Sequence, residues 1–200
     1  MKNILNNPKI YQAYQVLGGF YAGRIKAFNQ YVDLNNVKRI FDIGCGPGHF
    51  SETISKDIDY IGFDTDQNYI DYANKHFGGS ARFFNRIFDK TAIREFGNPD
   101  LIIMNGVLHH LNDETFKIIA SDAAASLNKN GILYTLDGCY TDNQNIITKF
   151  LLDNDRGGFV RNSSEYNSLL KESFNTIESD IRNDLSILPY TFILIRSTNK

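Results

Sequence analysis

Between residues 38 and 137, short apolar runs alternate with longer mixed stretches. Lys38–Ile43, Tyr60–Asp64, Asp100–Asn105 and Ile132–Asp137 are strongly apolar and bounded by turn residues, which predicts buried strands; Arg82–Asn85 predicts a shorter one. Phe50–Lys56, Gln67–His76 and Glu114–Leu127 fall between them and predict helices, the last ending toward the Asn130-Gly131 turn. Regular alternation of strand and helix predicts a doubly wound α/β sheet, parallel and crossed over right-handedly. Upstream, Ile10, Tyr14, Leu17 and Tyr21 recur at three- and four-residue spacing, predicting helix from Pro8 to about Leu34, split by Gly18-Gly19. Downstream, helices over 143–152 and 164–174 flank the loop NDRGGFVRNS. Two β-rich runs, Thr176–Ile181 and Tyr190–Arg196, then predict an antiparallel hairpin on the sheet edge, giving seven strands in all.

In sheets of this kind ligands bind beyond the carboxyl ends of the strands. That directs attention to Asp42–Gly48, Asp64, Asn105-Gly106 and Asp137. The stretch FDIGCGPGHFS carries glycines at 44, 46 and 48. A phosphate-binding loop requires Lys-Ser/Thr after its glycines, and His49-Phe50 stands there instead. A dinucleotide loop requires G-x-G-x-x-G, whereas the spacing is G-x-G-x-G with His49 at the third glycine's place. Alone, the loop is equally a strand-to-helix turn using glycine for its dihedrals. Asp64 at the next strand end adds an acceptor for ribose hydroxyls, although an Asp there also serves as a helix cap and Asp66 competes for the role.

Taken together, FDIGCGPGHFS, YIGFDTDQNYIDYA and PDLIIMNGVLHHL resemble the motifs of class I S-adenosylmethionine-dependent methyltransferases over about residues 38–137. The resemblance implies a Rossmann-like fold with an N-terminal helical lid in one methyltransferase domain over 1–200: N-terminal helices over 1–36, a cofactor-binding core over 37–137, and substrate-side helices and terminal strands over 138–200. It implies that Gly44 and Gly46, with Cys45 between them, approach the methionyl part of S-adenosyl-L-methionine, and that Asp42 meets its amino group. Asp64 would hold the ribose, Thr65 would lie along the adenine, and Asn105 and Gly106 would pass the sulfonium side, with S-adenosyl-L-homocysteine as product. Tyr14, with Tyr11, Gln15 and Arg24, would belong to the lid. One departure stands out: the acidic residue that often meets the adenine amine after the third strand is replaced by Ile87, with Asp89 or backbone as substitutes. The tail is similar to that of small bacterial methyltransferases, some of which modify glycans or small molecules.

Methyl transfer asks the protein for alignment and, at a hydroxyl acceptor, for a general base. His109 and His110 follow the fourth strand, and imidazole titrates in the right range. Asp137 at the end of the fifth strand would orient one of them; the resemblance implies a His–Asp dyad and favours His110, which matches a histidine recurrent in related motifs, with capping or packing as the competing role for either histidine. Arg156 and Arg161 are candidates for an anionic acceptor, or ordinary solvated arginines. No carboxylate or histidine set stands at metal-ligand spacing, so no metal is expected.

Composition limits the alternatives. With 200 residues, 42% hydrophobic content and a net charge of −2, the chain gives no electrostatic case for nucleic acid. No run approaches the ~18–20 apolar residues of a membrane span. Cys45 and Cys139 form no metal or redox motif, and the N-terminus lacks the apolar core of a signal peptide, so a cytoplasmic protein with reduced thiols is expected. The expected function is methylation of a small-molecule acceptor, at a sugar or other metabolite hydroxyl, by a monomer or homodimer. The alternatives are an N-methyltransferase, a catalytically silent cofactor-binding protein that acts through a partner, or a nicotinamide oxidoreductase.

Overall fold

A computed structural model describes residues 18–199; Tyr11, Tyr14 and Gln15 of the expected lid lie outside the described residues. The described part begins with α1 (Phe20–Tyr31), directly after Gly18-Gly19, and β1 (Arg39–Ile43). There follow β2 (Asp59–Asp64), α2 (Gln67–Phe77), β3 (Arg82–Asn85), α3 (Ala92–Phe96), β4 (Leu101–Asn105), α4 (Asp113–Ser126) and β5 (Ile132–Tyr140). The chain closes with α5 (Ile146–Asp153), β6 (Arg161–Asn162), α6 (Ser163–Lys171), β7 (Thr176–Arg182) and β8 (Phe192–Thr198).

The sheet runs β3-β2-β1-β4-β5-β8-β7, and the short β6 pairs with β5 beside that path. Strands one to five are parallel, whereas β8 is antiparallel to both β5 and β7. This is a Rossmann-like doubly wound sheet, with the expected terminal hairpin. Strand order reverses between β1 and β4, so the crevice beyond their carboxyl ends is where a ligand fits.

Successive residues of each strand serve opposite layers, as the period of two requires. Ile40, Ile103, Tyr134 and Leu194 pack with Phe28 of α1 and Ile70 of α2. Phe41, Ile61, Ile102 and Leu133 pack with Phe96 of α3, Phe116 of α4 and Tyr166 of α6. Both faces are therefore covered, which is why the parallel strands read as continuous apolar runs.

One element departs from its expected form. Phe50–Lys56 is not an α-helix; a single 3₁₀ segment, His49–Thr53, takes its place. The His49 carbonyl, which an α-turn would commit to Thr53, accepts from Tyr21 Oη at 3.0 Å. The β-branched Thr53 and Ile54 then favour leaving the helix. The sequence pattern also missed α3, and it ended β5 at Asp137, three residues before Tyr140.

Candidate active site

The carboxyl ends of β1, β2 and β4 open into a cavity of about 440 Å³. That volume lies within the range of small-molecule sites. Gly44 and Gly46 cross its floor with left-handed φ values of 72° and 54°. A Cβ on Gly44 would stand 2.5 Å from Val107 Cγ2, so glycine is required there by both dihedral and space. Cys45 lies between them, an unpaired buried thiol like Cys139.

Asp42 lines the cavity and is 2% exposed. Tyr60 Oη donates to its carboxylate. Burial outweighs that hydrogen bond and pushes the Asp42 carboxyl up to about 7. Asp64 accepts from Gly46 N at 2.8 Å and Asp66 N at 2.9 Å. The competition between Asp64 and Asp66 is thereby resolved. Asp66 is the N-cap of α2, accepting from Asn68 N and Tyr69 N, and Asp64 is left to brace the glycine loop at the cavity wall. Burial also raises the Asp64 pKa. Thr65, Asn105 and Gly106 line the same space, and Arg24 of α1 reaches it from above. Neither the oxygen nor the nitrogen of the Asn105 carboxamide has a partner among the described residues, although both atoms are buried. An orphaned buried amide costs about 1–3 kcal/mol unless a ligand or water satisfies it.

The expected pairing of His110 with Asp137 is replaced by another. His109 Nδ1 lies 2.7 Å from Asp137 Oδ1, and the same oxygen accepts from His109 N at 3.2 Å. On the other side of the ring, His109 Nε2 lies 3.1 Å from Asp155 Oδ1. The reason is the 3₁₀ segment Leu108–His110, which turns His109 inward to 7% exposure and His110 outward to the cavity wall. Burial opposes a charge on His109, but the two carboxylates prevail and push its pKa up to about 9. His110 shows the opposite balance: burial and the neighbouring imidazolium hold it down at about 4. The two adjacent rings therefore carry different charges at neutral pH.

Asp155 was not anticipated from sequence. Besides His109 it accepts from Tyr190 Oη at 3.0 Å and Gly157 N at 2.9 Å, and the imidazolium holds its carboxyl well below the usual range despite burial. A Cβ at Gly157 would fall 2.1 Å from His109 Cδ2 and 2.4 Å from the His109 carbonyl. Gly157→Ala should therefore lower the melting temperature, at a cost of about 1–3 kcal/mol; a thermal melt equal to the wild type would contradict this packing.

Two other expectations need correction. Arg161 is not available to an anionic acceptor. It is 6% exposed and donates to the carbonyls of Leu108, Leu111 and Phe159 and to Asp113. Asp89 does not substitute at the adenine position: it is exposed, bonds the backbone and hydroxyl of Thr91, and is absent from the cavity wall, where Ile87 stands. Arg156 does line the cavity, close to His110.

Residues 41–133, which carry the glycine loop, Asp64 and both histidines, match the protein family described as a methyltransferase domain. Over that segment the chain is similar to a methyltransferase domain. Among individual relatives, des-methyl DIF-1 methyltransferase A of Dictyostelium discoideum is 23% identical over 134 residues, 62% of this chain but 37% of that protein. Human N-acetylserotonin methyltransferase, solved with its cofactor, superposes with a TM-score of 0.71 at 17% identity, covering 96% of this chain and 55% of that one. A mitomycin 7-O-methyltransferase superposes at 0.66 with 19% identity, covering 90% and 54%. The chain thus spans about a third to a half of the length of these proteins. No helix among the described residues is long and apolar enough to cross a membrane.

Proposed function

We propose that this protein is an S-adenosylmethionine-dependent methyltransferase that methylates a hydroxyl oxygen of a small molecule. The observation that carries the reading is the cavity at the strand reversal, where the Gly44–Gly46 floor, Asp64 and the unpartnered Asn105 amide meet. When bound, the cofactor supplies an activated methyl on a sulfonium. Asp42 and Arg24 would hold the charged ends of its methionyl part, Asp64 the ribose hydroxyls, and Asn105 and Gly106 would lie along the sulfur. Names of relatives favour oxygen: one is a mitomycin 7-O-methyltransferase.

At the acceptor, His110 is the base on the cavity wall, and it is neutral at pH 7. A base this weak takes the hydroxyl proton only as the oxygen gives electron density to the methyl. Asp137, His109 and Asp155 hold the turn that presents it. A second reading rests on the His109–Asp137 pair: His109 serves as the base once its Nε2 leaves Asp155. His109→Asn separates the two, because only the second reading makes that loss as deep as the loss from His110→Ala.

Calorimetry with S-adenosylmethionine and S-adenosylhomocysteine tests the cofactor assignment; a folded sample that binds neither overturns it. The reaction is proposed to be metal-free. His109, His110 and Asp155 bring donor atoms within 4.8 Å of one another, but both ring nitrogens of His109 are committed to carboxylates. Dialysis against a chelator should leave turnover unchanged, and a loss restored by a divalent ion would contradict this.

A further inference from the structure

The proposed reaction uses only part of the donor set around His109. His109, His110 and Asp155 bring one donor atom each to within 4.8 Å of one another. Two of the three are already aimed. Asp155 Oδ2 accepts from Tyr190 Oη at 3.0 Å, while its Oδ1 accepts from Gly157 N at 2.9 Å and faces His109 Nε2 at 3.1 Å. Asp137 holds the opposite nitrogen of that ring at 2.7 Å. A carboxylate behind an imidazole, and hydrogen-bond donors behind a carboxylate, are the supports that orient metal ligands. His110 is exposed on the cavity wall, and the Asp155 side chain is 22% exposed, so an ion has a path in from solvent.

We propose that His109 Nε2, His110 and Asp155 Oδ1 form a site for a late first-row divalent cation, Zn²⁺ foremost, and that the ion blocks the proposed reaction by occupying the lone pair of His110. The blocking rests on the reading of His110 as the base; the ion site does not. Without the ion, its place belongs to the proton that His109 Nε2 shares with Asp155, in keeping with a metal-free reaction. On binding, the Nε2–H bond breaks, the proton passes to solvent, and the nitrogen lone pair takes the ion. Asp137 keeps the Nδ1 proton and holds the ring in the tautomer that a ligand needs. Donors around a tetrahedral Zn²⁺ at ~2.1 Å stand ~3.4 Å apart. His109 and Asp155 nearly meet that spacing, and a turn of the exposed His110 ring closes the remainder. Water fills the fourth position, as in other sites with three protein ligands. Two imidazoles and one carboxylate suit Zn²⁺, whereas Mg²⁺ takes oxygen donors. Arg156 beside His110 opposes the ion and keeps its affinity below that of a closed structural site.

The experiment is calorimetric titration of Zn²⁺ into the chelator-treated, folded protein with Mg²⁺ in excess. The expected result is one ion per chain with a dissociation constant of about 10 μM or tighter. His110→Ala and Asp155→Asn, which each remove a ligand, should weaken binding by more than about tenfold, and Tyr190→Phe, which only orients Asp155, by about tenfold. His76→Ala, an imidazole on α2, should bind as the wild type does, and circular dichroism melts should show every variant folded. Zn²⁺ should also protect His110 from carbethoxylation by diethyl pyrocarbonate, read by peptide mass spectrometry. Absence of binding at about 100 μM Zn²⁺ overturns the site. So does binding that survives both His110→Ala and Asp155→Asn, or displacement of the ion by Mg²⁺. Full carbethoxylation of His110 under saturating Zn²⁺ overturns the block. A protein that binds Zn²⁺ at these residues but not S-adenosylhomocysteine keeps the ion site and loses only the cofactor assignment.

Discussion

Asp42→Asn is expected to make the unliganded protein melt higher at pH 8 while weakening its hold on S-adenosylhomocysteine at least tenfold. The two effects share one cause. A carboxyl whose folded pKa lies above its unfolded value stabilises the fold only while protonated. That contribution is present below the unfolded value of ~3.9 and is lost as pH rises through about 7. Above that point the ionised group is a standing cost, ~1.4 kcal/mol for each pH unit between the two values. An amide of the same shape keeps the Tyr60 contact and removes the cost. The gain should be roughly 5 °C or more at pH 8 and should shrink toward pH 5. The charge is also what would draw the ammonium group of the cofactor, so its removal weakens binding. Differential scanning fluorimetry at both pH values, with calorimetry at pH 8, checks the pair. A variant that melts no higher at pH 8 and binds as well as the wild type would refute the assignment.

His110→Ala should lower kcat by about 10²–10⁴-fold, the usual worth of a positioned general base, with the dissociation constant for cofactor almost unchanged. Asp137→Asn and Asp155→Asn should lower kcat less, because they act through His109 and the turn. The pH profile discriminates further. With His110 neutral above about 4, it sets no limit between pH 6 and 8. A fall of activity on acidification in that window should follow Asp42 and appear in KM for the cofactor. If His110→Ala keeps the full rate and His109→Asn abolishes it, the base is His109. Full rate in both variants leaves catalysis to alignment alone.

The architecture and the strand-end cavity were legible from the chain because they depend on local signals. Continuous apolar runs specify parallel strands covered on both faces, and a glycine loop followed by Asp64 specifies a strand-end site. The cluster around His109 was legible only by residue type. His109, His110 and Asp137 were recognisable as candidates, but the partner of Asp137 depends on a 3₁₀ turn of three residues, Leu108–His110, whose handedness no periodicity reveals. Asp155 is separated from His109 by the whole of α4, β5 and α5, so nothing in the local pattern links them. Arg161 resembled a solvated arginine for the same reason. Its acceptors, the carbonyls at 108 and 111, are backbone atoms that carry no sequence signature. The one local hint was Gly157-Gly158, a pair that marks a close approach, and Gly157 does lie against His109.

Arg161 also bears on how such a protein can be re-engineered. Its guanidinium fastens the turn after β4 to the segment that closes the loop after α5. Those two stretches therefore behave as one exchangeable cassette. A chimaera that imports a foreign segment over residues 141–162, and with it replaces Arg161, but retains the native turn at 108–111 leaves the carbonyls of Leu108 and Leu111 and the Asp113 carboxylate without their donor. Grafts intended to change acceptor preference should carry both stretches together, with Arg161 and Asp113 as the matched ends of the fastening.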